Sequence, residues 1–348
     1  MKRTLQAACR RLATVSLICL GLNAHADTEL IVAADGSGQF TNVQAAINAT
    51  PQNTSPTNWC TILIKPGVYK ELIYIQREKQ FLRLLGEDPQ KTVLTYDLYA
   101  SIRGPDGKMI GTFRTPSTVI DADDFVAENI TFQNSAGPKG QALAVRLDGD
   151  RLMFHNCRFL GWQDTILCDH GRQYYTNCYV AGAVDFIFGA ATEFYDHCHI
   201  DCLGKGYITA ASTPADHPFG YVLSHCKITG ENSEVRTYLG RPWRAYASVT
   251  YLNTEMSDVV QPVGWDNWRD PAREKTARYA EFGSTGPGAN LQARVNWARQ
   301  LTKQEASAIT VETVLGGPDH WNPQAVLAQL PTVNSDAKST GSGSSTKP

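Results

Sequence analysis

Residues 156–165 read Asn-Cys-Arg-Phe-Leu-Gly-Trp-Gln-Asp-Thr, and residues 177–189 read Asn-Cys-Tyr-Val-Ala-Gly-Ala-Val-Asp-Phe-Ile-Phe-Gly. Laid one over the other, Cys157 meets Cys178, Gly161 meets Gly182 and Asp164 meets Asp185, each pair 21 residues apart. A repeat of that period marks stacked supersecondary units. If each unit is one coil of a β-solenoid, equivalent positions on successive coils lie one strand spacing apart, about 4.8 Å. The repeat then lays Asp164 against Asp185.

The flanking sequence fits the same coil. Short runs rich in β-branched and aromatic residues recur at Leu30–Ala33, Thr61–Lys65, Phe81–Leu85, Thr92–Thr95, Ser117–Ile120, Phe125–Phe132, Ala142–Leu147 and Leu152–Phe154, divided by Gly, Asn and Asp. No Asn-Gly hairpin dipeptide and no alternating helices separate them, so parallel coiling is expected over hairpins or an open α/β sheet. Phe40–Ala49 has helical spacing, with Val43, Ala46 and Ile47 on one face and Thr41 as the expected N-cap. Such a helix would plug the open end of the stack. After Trp243 the pattern loosens into loops, with a short helix expected over Lys303–Ile309.

The chain has 348 residues and a net charge of −2, so no global field draws nucleic acid or an anionic membrane. Lys2, Arg3, Arg10 and Arg11 precede an apolar run from Leu12 to Leu22 and the Ala24-His25-Ala26 cleavage pattern. Residues 1–26 therefore read as a signal peptide, which implies an exported protein, extracellular or periplasmic. The expected organisation is one domain over residues 27–333 and a disordered Ser/Gly/Thr-rich tail over 334–348. A monomer with no membrane or nucleic-acid partner is expected.

Export makes disulfides available. Cys157, Cys178, Cys198 and Cys226 share a frame (Asn-Cys-Arg-Phe, Asn-Cys-Tyr-Val, His-Cys-His-Ile, His-Cys-Lys-Ile) at steps of 21, 20 and 28 residues. Stacked neighbours come within reach of a bridge, and Cys178–Cys198 is the expected one; a ladder of buried free thiols is the alternative. His197, Cys198, His199 and Cys202 resemble a metal cluster in composition only. Strand alternation turns the two histidines one way and Cys198 the other, so no metal is expected.

Two carboxylates at solenoid spacing cannot both ionise cheaply, so one stays protonated and the other charged. Such a pair supplies an acid and a base, or an acid and a nucleophile. Stacked aspartates that merely close turns are the structural alternative. The neighbours favour chemistry: Gln163 beside Asp164, Phe186 and Phe188 beside Asp185, and Tyr238-Leu239-Gly240-Arg241-Pro242-Trp243 downstream.

These residues identify a resemblance to the pectinesterases (pectin methylesterases). It rests on Gly67-Val68-Tyr69-Lys70-Glu71, Gln141-Ala142-Leu143, Gly161-Trp162-Gln163-Asp164-Thr165, Asp185-Phe186-Ile187-Phe188-Gly189 and Leu239-Gly240-Arg241-Pro242-Trp243. Asp35-Gly36-Ser37-Gly38-Gln39-Phe40 and Gly286-Pro287-Gly288-Ala289 match near the ends, and the likeness spans residues 30–325 in family order. The resemblance implies an all-β, right-handed parallel β-helix acting on methyl-esterified pectin without a cofactor. It implies Asp185 as nucleophile, Asp164 as general acid and then base, and Gln163 with Gln141 as oxyanion donors. Arg241 would align Asp185, Phe188 and Trp243 would floor the sugar site, and Thr112 would touch substrate. Tyr69 and Glu71 read as structural. Trp162 stands where the family usually has Tyr, which alters a cleft wall.

Three rivals remain at this level. A depolymerase on the same solenoid would use an acid/base pair, but Asp123-Asp124, the adjacent pair, falls in an ordinary turn. A catalytically silent carbohydrate binder has no reason to keep Asp164, Asp185, Gln163 and Arg241 together. A serine esterase would need a G-x-S-x-G motif, and none occurs.

Overall fold

The computed structural model describes residues 28–231 and 236–331. The leader and tail expected at 1–26 and 334–348 lie outside the described residues. The chain winds into a right-handed parallel β-helix with three faces. One broad face stacks eleven parallel strands: Thr28–Val32, Cys60–Ile64, Leu82–Gly86, Phe125–Glu128, Leu152–His155, Arg172–Thr176, Thr192–Asp196, Tyr221–Ser224, Ser248–Leu252, Arg278–Phe282 and Arg299–Gln300. A side face stacks Gly67–Lys70, Thr92–Tyr96, Thr131–Asn134 and Arg158–Leu160, and a third face stacks Ile73–Ile75, Thr118–Ile120, Val145–Leu147 and Ile166–Cys168. Two long strands, Tyr179–Gly189 and His199–Ala211, run through both of the latter. Among the described residues no helix is long and apolar enough to cross a membrane.

The corners explain the repeat. Phe125–Phe132, expected as one strand, is cut by Asn129, whose φ of 56° turns the backbone left-handed. Asn156, Asn177, His197, His225 and Asn253 hold the same conformation on later coils. Asn tolerates this region because its short side chain bonds locally, and Asn156 donates to the Asn129 side chain at 2.7 Å. One residue after each of these corners from 156 to 225 is the cysteine of the shared frame, turned into the core.

Cys178 and Cys198 correct the expected bridge: both are free thiols. In-register stacking of Tyr179 on His199 keeps the preceding cysteines parallel, at strand spacing. A disulfide needs the two β-carbons to lean together to about 3.8 Å. Each thiol instead donates to main-chain carbonyls, Cys178 to Phe154 and Thr176 and Cys198 to Tyr175 and Asp196, at 3.4–3.5 Å. Aromatic ladders fill the rest of the interior, with Tyr175 and Tyr195 stacked at 4.3 Å and Phe154 on Tyr175 at 5.0 Å.

A helix, Val43–Ala49, closes the N-terminal end and buries Val43, Ala46 and Ile47. Its N-cap is Asn42 rather than Thr41, because the Asn42 side chain accepts from the Ala45 amide at 2.8 Å. Glu71 accepts from the Val43 and Gln44 amides at 2.8 and 3.0 Å, and the buried Tyr69 hydroxyl donates to Lys65 O at 2.8 Å. The Gly67–Glu71 motif thus fastens the cap. Three helices, Lys303–Ser307, Val311–Leu315 and Pro323–Gln329, pack on outward apolar residues of the broad face, among them Val126, Met153, Tyr174 and Phe194. A cavity of about 580 Å³ opens beside them, lined by Trp59, Phe81 and Trp321 together with the paired charges Arg151, Asp124 and Asp319.

Candidate active site

The third face carries the site. Gln141 pairs with Gln163 and Gln163 with Val184 as isolated parallel bridges, while Ile166 pairs with Ile187 three residues on. Asp164 and Asp185 fall between these registered pairs and are therefore stacked, one coil apart. Both sit at corners with positive φ, 64° and 50°. The pairing of Tyr179–Gly189 with the next long strand shifts register on either side of Val184, an irregularity that re-aims the Asp185 side chain. The two residues are only 8% and 6% exposed.

Arg241 arrives from two coils beyond. Gly206–Thr209 pairs with Thr237–Gly240, and the Arg241 amide donates to Thr209 O at 2.9 Å. Gly240 is required there, since a β-carbon would lie 2.0 Å from Thr209 Oγ1. The Arg241 guanidinium reaches back over the intervening coil. Its Nε and Nη2 donate to the two Asp185 oxygens at 2.8 and 2.5 Å. It passes between the Tyr207 and Trp268 rings, each 3.8 Å from its carbon. Tyr207 stacks in turn on Tyr238 at 5.2 Å. The fork and the two aromatic plates fix the cation's position and orientation.

The carboxylates are consequently unequal. Burial, reinforced by the negative charge of Asp185 and opposed by Arg241, pushes Asp164 up to about 8. Burial also holds Asp185 above its ordinary value, and the Arg241 hydrogen bonds and charge offset part of that rise. Asp185 is therefore the member that ionises first, and Asp164 holds its proton near neutrality.

Thr112, Gln141, Gln163, Asp164, Asp185, Phe188, Arg241 and Trp243 all line one cleft of about 340 Å³. Phe188 and Trp243 lie 5.9 Å apart over an apolar layer of Leu143, Leu167 and Ala210. Phe113, Ala210 and Trp268 complete the lining and were not legible as site residues in the sequence. The Trp- and Arg-rich loop that carries Trp268 was the available signal. His197 and His199 point outward and Cys198 and Cys202 into the core, as alternation requires.

The site on this long parallel β-helix is thus an unequal, arginine-braced aspartate pair in an aromatic cleft. Comparison with known proteins gives the family. A pectinesterase family profile matches residues 29–318. Pectinesterase 31 of Arabidopsis thaliana is 43% identical over 282 residues, covering 79% of this chain and 88% of that protein. The pectin methylesterase from carrot superposes with a TM-score of 0.79 at 31% identity, over 87% of this chain and 97% of its own. A pectin methylesterase solved with a hexasaccharide gives 0.74 at 28% identity, over 86% and 99%. The chain belongs to the pectinesterase family and is a carboxylic ester hydrolase of that class.

Proposed function

We propose that the enzyme removes methyl esters from galacturonate units of pectin through an aspartyl intermediate. The Asp185 carboxylate attacks the C6 carbonyl carbon. The negative charge that develops on the carbonyl oxygen is met by the Gln163 and Gln141 side-chain amides, donors that add no charge to a site already holding two acids. The tetrahedral intermediate collapses by breaking the bond to methoxide, which takes the Asp164 proton and leaves as methanol. Asp164, now a carboxylate, removes a proton from water. The resulting hydroxide adds to the acyl carbon and expels the Asp185 carboxylate, leaving a galacturonic acid that gives its proton to solvent, with Asp164 protonated again. Arg241 keeps Asp185 ionised and aligned, Phe188 and Trp243 receive the apolar face of the sugar, and Thr112 contacts the chain.

The observation that carries this reading is the inequality of two stacked, buried aspartates, Asp185 forked by Arg241 and Asp164 without a cation bonded to it. The leader pattern of residues 1–26 supports export, and we read the enzyme as a monomer acting on a polymeric substrate outside the cytoplasm. Methanol release from esterified pectin without loss of solution viscosity is the expected result. Falling viscosity ahead of methanol release would assign a depolymerase instead, and inhibition by serine-directed reagents would point to a different nucleophile.

The aromatic plates around Arg241 have their own expected signature. Tyr207→Leu removes one plate and lets water reach the guanidinium. It should lower kcat/KM about tenfold, the scale of one desolvated cation–π contact, and move the acid limb of the pH profile upward. Tyr207→Phe keeps the ring and should behave as wild type. Equal losses in both variants would show that the hydroxyl, not the plate, is what matters.

A further inference from the structure

Arginines along the solenoid are mostly committed. Arg83, Arg146, Arg151, Arg172 and Arg294 each hold a carboxylate, as Arg241 does. Arg158 does not. Its guanidinium lies over the ring of Tyr179, its register partner on the next coil, at 5.0 Å, and among the described residues its side chain has no ion-pair or hydrogen-bond partner. The nearby acid, Asp201, makes no ion pair with it and is bonded to hydroxyls instead. Both Asp201 oxygens are occupied, Oδ2 by the Tyr179 hydroxyl at 2.6 Å and Oδ1 by the Thr229 hydroxyl at 2.9 Å.

This uncommitted cation lines a second groove of about 340 Å³ with Gln133, Ser135, Gly161, Tyr179 and Leu203. The groove lies on the side face, where Arg158–Leu160 runs on through Gly161 and Trp162 into Gln163 and Asp164. Gln163 lies five positions beyond Arg158, at most about 17 Å of extended chain and less around a corner. A guanidinium held over an aromatic ring, with no hydrogen-bond partner of its own, keeps N–H donors free, which suits two-point capture of a carboxylate. The ligand that this chemistry fits is an anionic sugar unit.

We propose that Arg158, seated on Tyr179, forms an accessory subsite for the free carboxylate of an unesterified galacturonate in the same chain whose esterified unit occupies the catalytic cleft. The inference rests on the pectin methylesterase reading and adds a preference to it. Chains already carrying some free carboxylates are favoured over fully esterified ones, so each turnover improves the substrate for the next.

The test compares wild type, Arg158→Gln and Arg158→Lys, with equal thermal midpoints as the folding control. Initial methanol release is measured at low salt on pectins of one chain length, fully and half esterified, and the ratio of kcat/KM values is taken. Binding of a fully unesterified galacturonate oligomer is measured calorimetrically. Wild type should favour the half-esterified polymer. Arg158→Gln should cut that ratio and the oligomer affinity about two- to fivefold, the scale of a partly exposed ion pair, and Arg158→Lys should fall between. Raised salt should shrink the wild-type preference toward that of Arg158→Gln. A ratio and an affinity both unchanged in Arg158→Gln overturn the subsite while leaving the esterase intact. No methanol from wild type on either pectin would instead remove the reading beneath it.

Discussion

Asp185→Asn is expected to reduce methanol release about a thousandfold or more while leaving the thermal midpoint within a few degrees of wild type. The loss is that of a nucleophile, and groups acting as a catalytic unit cost most of the rate when one is removed. The fold should survive because the corner at Asp185 has φ 50°, a conformation that Asn adopts as readily as Asp. The Arg241 guanidinium, held between Tyr207 and Trp268, keeps its place against a neutral amide. Initial rates by methanol assay, with a melting curve on the same preparation, check both halves. Turnover within tenfold of wild type would take Asp185 out of the nucleophile's role.

Asp164→Asn should move rate and stability in opposite directions. Without the proton donor for methoxide, kcat should fall about 10²- to 10⁴-fold. The alkaline limb of the wild-type profile, which reports loss of the Asp164 proton near pH 8, should vanish from the residual activity. The sign on stability follows from the same displacement. Asp164 keeps its proton in the native state up to about 8, whereas the unfolded carboxyl releases it near its ordinary value of 3.8. Between those values the folded protein binds more protons than the unfolded one, so stability falls as pH rises and levels off above about 8. By pH 7 the penalty is on the order of 2–4 kcal/mol. Asn never ionises and escapes it. The variant should therefore melt above wild type at pH 7, with the gap closing toward pH 4. Equal melting temperatures at both pH values would mean that the carboxyl is not held protonated by its surroundings.

Much of the coil was legible because its determinants are local and periodic. A left-handed corner asks for Asn, His or Asp, and the position after it asks for a small core residue, so Asn156-Cys157 and Asn177-Cys178 announce themselves. The stack of Asp164 on Asp185 follows from the same period. The helix Lys303–Ser307 carries a full capping box from Thr302 and Glu305. Val311–Leu315 and Pro323–Gln329 were not anticipated, because each is a short turn of helix held by the apolar outer surface of the broad face. Tyr207 and Trp268 escaped notice for a different reason. They meet across the Arg241 side chain from separate parts of the chain, and no spacing rule encodes a ring laid on a guanidinium. The cysteine frame was read correctly as a stack and wrongly as a bridge. Sequence gives proximity, whereas bond formation depends on the angle between side chains.

The locked pairing on either side of the two acids also sets what changes the chain can absorb. Steps between equivalent cysteines vary from 20 to 28 residues, the slack being taken up in loops that leave the corners. In the registered stretch of Gln163–Ile166 over Val184–Ile187 there is no such freedom, because pairing is fixed at Gln163–Val184 and again at Ile166–Ile187. One residue gained or lost there would rotate an acid half a pleat, from cleft wall to protein interior. Variation in loop length elsewhere can reshape the entrance freely, but this one segment works as a ruler, and its length is held by the reaction rather than by the stability of the coil.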